Sequence, residues 1–126
     1  MAYRSLNAAQ ATSLELLCEL IAPGSARAGS ALYVDAVLAR MPDAVRGGIV
    51  ESITRLGELA RGGAEGLASE AFTPDFLMLR ALAIEAYYSD FVAPGHAGPG
   101  AWEEIDFRPP LATRLAKDWS YLGVVA

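Results

Sequence analysis

The sequence is poor in the residues that most often carry chemistry. Its 126 residues include one cysteine, one histidine and one lysine. Cys18 alone cannot close an internal disulfide. One thiol with one imidazole, His96, nearly excludes a zinc site. No spaced Asp/Glu loop suggests an all-carboxylate site, so no metal is expected. Positive charge is also scarce: ten bases, nine of them arginine, stand against 15 acids, a net charge of −5. No basic cluster occurs, which argues against nucleic-acid binding. Long apolar runs are missing as well. The best stretch, near 76–88, is interrupted by Arg80 and Glu85 and is too short and too charged to span a bilayer. The opening "MAYRSLNAAQ" has no cationic segment before an apolar run and no Arg-Arg pair, so no signal peptide is read and a cytoplasmic location is expected. Finally, there is no Ser-His-Asp order, nucleophile elbow, phosphate loop or dinucleotide fingerprint. That counts against a self-sufficient redox or hydrolytic enzyme. It leaves room for a small acid/base cyclase or isomerase, which needs only a shaped pocket and one or two titrating groups.

What the chain does have is apolar periodicity. Hydrophobic residues make up 53% and charged residues 20%, the balance of one ordered globular domain. Leu14, Leu17, Cys18 and Ile21 recur at helical spacing and predict a first helix from about Ala8 to Ala22. "PGSARAG" breaks it. Val34, Val37, Leu38 and Met41 predict a second helix, about Ser30 to Arg40, stopped by Pro42. Asp43 is then placed to cap a third, with Ile49, Ile53, Leu56 and Ala60 on one face as far as Arg61. Gly47, Gly48 and Gly57 weaken that helix by about 1 kcal/mol each, and a tolerated mid-helix glycine often marks close approach of another element. "GGAEGLASEAF" reads as a connector with one short helical turn. "TPDF" supplies an N-cap in Thr73 and a first-position proline in Pro74, and opens a fourth helix reaching about Asp90. "PPLATRLAKDWSYLG" reads as a last short helix, about Pro110 to Lys117. No alternating strand pattern and no internal repeat appears. The expected fold is all-α, a single domain of four to five helices in an orthogonal or bundle-like array with a long aromatic-rich C-terminal strap.

The fourth helix and the strap hold the candidate chemistry. At 100° per residue, Asp75, Leu82, Glu85 and Ser89 share a narrow polar stripe, where Glu85 is either solvated or functional. Arg80 falls among Phe76, Ala83, Ile84, Tyr87 and Phe91. Either its methylenes lie along the core while its head reaches water, or it is a buried cation held by a carboxylate or receiving an anionic ligand group. His96, in "APGHAGPG", sits in a stiff turn where an imidazole can serve as general acid or base, with Asp90, Glu103, Glu104 or Asp106 available to orient it. Tyr87 and Tyr88 end the helix, and Trp102, Phe107, Trp119 and Tyr121 follow. These aromatics serve as core anchors, pocket lining or a partner surface.

Three segments resemble the small-subunit family of gluconate 2-dehydrogenase, often called subunit 3. "LLCELIAPGSARAGSALYVDAVLARM" is similar to its helix, turn, small-residue loop and second helix. "FTPDFLMLRALAIEAYYSDF" is similar to its late helix ending in a tyrosine pair, and "DWSYLGV" to its terminal aromatic segment. The likeness spans about Leu14 to Gly123 and is nearest to short stand-alone actinobacterial members. It implies an accessory subunit that stabilises a large flavin-dependent dehydrogenase of the glucose-methanol-choline class, with FAD in the partner and no cofactor in this chain. The family's twin-arginine leader is missing here, and no catalytic residue carries over. The alternative is a stand-alone tailoring enzyme, a cyclase, isomerase or dehydratase for an apolar secondary metabolite such as a polyketide. There His96, Asp90 or Glu85 would move the proton, and Arg80, Tyr87, Tyr88, His96 and Trp102 would line an enclosed cavity beside the fourth helix. Arg80, Tyr87, Tyr88, Trp102 and Trp119 are the ligand- or partner-binding candidates on either reading. The strap is equally suited to a symmetric homodimer contact.

Overall fold

The computed structural model describes residues 2–108 and 119–124. Those residues form an all-α fold without strands. Helix α1, Ala8–Ile21, opens on a reciprocal cap: the Asn7 side chain accepts from the Gln10 N–H and the Gln10 side chain from the Asn7 N–H, both at 2.9 Å, so two otherwise orphaned donors are satisfied. The segment expected only as a break contains a helical turn of its own, α2, Ser25–Ala28. It is bounded by Gly24 (φ 99°) and Gly29 (φ 75°), where a side chain would be strained. The Glu19 carboxylate, reaching from α1, accepts from the Gly24 N–H at 2.9 Å and the Ala26 N–H at 3.1 Å.

Helix α3 follows at once, Ser30–Leu38, and α4 spans Asp43–Ala60. Pro42, not Asp43, occupies the α4 cap position, and no side chain caps it. Asp43 lies in the first turn, where its charge favours the helix N-terminus, and it pairs with Arg46 at 2.5 Å. The connector forms α5, Gly63–Leu67, and a 3₁₀ turn, Ala68–Glu70. Helix α6, Pro74–Tyr88, begins as its sequence dictates, with Thr73 Oγ1 accepting from the Phe76 N–H at 3.3 Å. The strap adds a turn, α7, Ala101–Glu104, and the chain closes with a 3₁₀ turn, Ser120–Leu122. The expected last helix, Pro110–Lys117, lies outside the described residues. The described residues thus hold seven helices where four to five were expected. The extra ones are single turns, too short to leave an apolar period.

Leu14, Leu17 and Cys18 of α1, Val34 and Leu38 of α3, Ile53 and Leu56 of α4, and Leu79, Ala83 and Ala86 of α6 are fully buried together. Burial pushes the Cys18 thiol up to about 12, so it behaves as a small apolar group. Behind this core, Phe91 stacks edge-on against Tyr33 and Trp119, each with centroids 5.3 Å apart.

The α4 glycines separate into two kinds. A Cβ on Gly57 would stand 2.5 Å from Ser13 Cβ, so α1 and α4 meet at this point, whereas a Cβ on Gly47 or Gly48 would meet nothing within 4 Å. The close-approach reading holds for Gly57 alone. Gly57→Ala is therefore expected to cost about 2 kcal/mol through overpacking, while Gly47→Ala and Gly48→Ala each stabilise by about 1 kcal/mol. Denaturant melts of the three variants check the opposite signs.

Candidate functional site

The strap leaves α6 through Asp90, whose φ of 67° is left-handed. Aspartate tolerates this region better than most residues. Its carboxylate turns inward, 7% exposed, and Oδ1 accepts the Trp102 N–H at 3.1 Å, holding the first turn of α7. Gly100 makes this possible, because a Cβ there would stand 2.1 Å from the same oxygen. Further along, the Ala93 N–H donates to the Ala28 carbonyl at 2.8 Å. The strap therefore lies across α2.

One ionic cluster fastens it. Arg27 on α2 donates through Nη1 to the Ala97 carbonyl at 2.5 Å and through Nη2 to Glu104 Oε1 at 2.8 Å. The Tyr87 hydroxyl donates to Glu104 Oε2 at 2.6 Å. Tyr87 is itself buried with Ala22, Ala28 and Ala101. Its hydroxyl fits against Gly24, where a Cβ would come within 2.5 Å of it. Burial, then the bond to Glu104, pushes the phenol up to about 12. The Tyr87 hydrogen bond, helped by Arg27, holds the Glu104 carboxyl below the usual carboxylate range. The Trp102 indole N–H donates to the Tyr88 carbonyl at 2.7 Å, and its ring meets Phe107 edge-on at 5.2 Å.

The structure distributes the candidate residues in a way the sequence did not show. His96 is exposed, and its ring edge covers Gly29, where a Cβ would stand 3.0 Å from Cδ2. Its Nδ1 lies 3.4 Å from the Pro94 carbonyl, and among the described residues no carboxylate forms an ion pair with it. Asp90 is an internal capping group of the strap. Glu85 is exposed on α6, where its charge acts on the Tyr33 hydroxyl. Arg80 is exposed, so the buried-cation reading is corrected: its stem borders a shallow groove of about 270 Å³ with Leu20, Leu67 and Phe76, and its head reaches water. The expected polar stripe is also corrected, since Leu82 is buried. Tyr87 and Trp119 are anchors packed inward, while Tyr88 is 42% exposed.

Other open grooves run between α4 and α6, beside Val45, Ile49 and Met78, and between α1 and α4, beside Gln10, Ser13 and Arg61. Tyr87, Tyr88, His96 and Trp102 line none of these three grooves. Among the described residues no group of His, Cys, Asp and Glu is arranged to hold a metal ion, and no helix is long and apolar enough to cross a membrane.

Sequence reasoning missed the Arg27–Glu104–Tyr87 cluster and the buried Asp35. Arg27 gave one usable signal, as the lone charge in a small-residue segment, and Asp35 another, as a single acid inside an apolar helix. Compared with known proteins, the chain matches no family model, no curated protein and no solved structure.

Proposed function

We propose that this protein is an accessory small subunit that docks through its strap onto a flavin-dependent oxidoreductase of the glucose-methanol-choline class. The supporting observation is the state of the strap. Asp90, Glu104 and the Trp102 indole are tied into the fold, while Ile105 and Phe107 are 57% and 48% exposed beside Trp102. A held loop that turns two large apolar side chains to solvent is suited to recognition, because little ordering is left to do on binding. The class of partner comes from the resemblance of the α1–α3, α6 and terminal segments to the gluconate 2-dehydrogenase small subunit. FAD then belongs to the partner, and this chain contributes a surface. The cyclase or isomerase alternative needs His96 beside Asp90 or Glu85 on an apolar pocket. Asp90 is instead engaged inside the strap, which is why docking is preferred.

Co-expression with a flavoprotein of that class encoded beside this chain tests the reading. A yellow complex of fixed stoichiometry is expected, and Phe107→Ala with Ile105→Ala should weaken it by roughly tenfold or more. A colourless particle of unchanged mass, whatever flavoprotein is supplied, would remove the proposal.

A further inference from the structure

Helix α6 is apolar on the side that the described residues leave open. Its buried face comprises Leu79, Leu82, Ala83, Ala86 and Tyr87. Directly opposite at 100° per residue stand Leu77, Ala81, Ile84 and Tyr88, of which Leu77 is 44% and Tyr88 42% exposed, Ala81 is exposed and Ile84 half-buried. A surface helix normally turns charge to this side, and one that is apolar all round is normally covered all round. The four residues follow a spacing of four, three and four, the a/d seam of a two-helix contact, with Leu77 and Ile84 at d and Ala81 and Tyr88 at a.

The flanks indicate what covers the seam. Arg80 and Glu85 are exposed on opposite sides of it, about 70° to either side at helical spacing, and among the described residues neither forms an ion pair. In the heptad they occupy g and the following e. Five residues apart, these are the positions that pair between two parallel helices in register. An antiparallel pair would bring like flanks together, arginine side to arginine side, which repulsion disfavours.

We propose that α6 pairs with α6 of a second copy of this chain in a parallel two-fold contact. Leu77, Ala81, Ile84 and Tyr88 form its seam, and Arg80 of each copy meets Glu85 of the other. Ala81 at the middle permits close approach of the two backbones. Because the pair is parallel, both straps lie at the same end of the dimer. The inference does not depend on the flavoprotein reading.

Sedimentation equilibrium of the full chain at tens of micromolar, a range chosen for a dimer of ~micromolar affinity, should give twice the 13.3 kDa chain mass. Glu85→Arg should raise the dimer dissociation constant about tenfold, with partial recovery on adding Arg80→Glu. Circular dichroism confirms that each variant is folded. Orientation is read by oxidation of Tyr88→Cys, with Cys18 buried and the only native thiol. A parallel pair brings the new thiols together as a covalent dimer, whereas an antiparallel one separates them by roughly 16 Å along the axis. The exposed Phe72→Cys is the control that should stay monomeric. A monomer throughout overturns the proposal, as does a dimer that ignores the charge reversal or fails to cross-link at position 88.

Discussion

Asp35→Ala is expected to lower the melting temperature by about 12 °C, from a loss of about 3 kcal/mol at roughly 4 °C per kcal/mol for a domain of this size. Asp35 lies in α3 and is 2% exposed. Its two carboxylate oxygens accept the backbone N–H groups of Arg4 at 2.7 Å and Ser5 at 2.8 Å. Truncation leaves two part-buried donors without these acceptors and removes the hold that the Asp35 carboxylate has on the two amides, so the cost exceeds that of one neutral hydrogen bond. The consequence reaches the other end of the chain. Arg4 donates to the Leu122 carbonyl, and a Cβ on Gly123 would stand 3.1 Å from the Arg4 guanidinium. Releasing residues 3–6 should therefore also loosen the Ser120–Leu122 turn. Asp35→Asn keeps one acceptor oxygen and should recover about half of the loss. Calorimetry gives the magnitude, and amide exchange at residues 4, 5 and 122 shows whether both ends open together. A fall of only a degree or two for Asp35→Ala would mean that these bonds are replaced by water at no cost.

Tyr87→Phe is expected to cost about 2 kcal/mol, because it deletes a hydrogen bond from a buried phenol to a charged acceptor. Its diagnostic effect is on pH. Glu104 is depressed, so its contribution to holding the strap is present above the ordinary carboxylate value and is lost as the pH falls through its lower folded value. Tyr87 is raised to about 12, so its contribution is complete below the ordinary phenol value near 10 and is lost as the pH rises towards 12. The clasp should therefore be intact across the neutral range and open at both extremes. Exchange of the Ala93 and Trp102 amides, one bonded to α2 and one to Asp90, reports that opening. In Tyr87→Phe the acid limb should move up, because Glu104 loses the largest cause of its depression, and the alkaline limb should vanish. An unchanged acid limb would show that Arg27 alone sets the Glu104 carboxyl.

The sequence by itself determined the long helices and, in α1 and α4, their buried faces. Leu14, Leu17 and Cys18, then Ile53 and Leu56, recur at the period of a helix that buries one side, and Thr73 with Pro74 marks a helix start by local geometry alone. Such features involve residues three or four apart and are therefore readable from the chain. The single turns α2, α5 and α7 are too short for a period, and two of them are held by side chains from outside the turn: Glu19 reaches the amides of Gly24 and Ala26 at α2, and Asp90 caps Trp102 at α7. The tertiary structure also decided the fate of the candidate site. Arg80 stands on an apolar helix and reads equally as a buried or a solvated cation, since periodicity does not say which of two apolar faces the chain covers. Glu104 meets Arg27 across 77 residues of sequence, and Tyr87 meets the same carboxylate from within the core. Contacts of that kind depend on how helices cross and on where a left-handed residue turns the strap, and no local pattern of residue types encodes them.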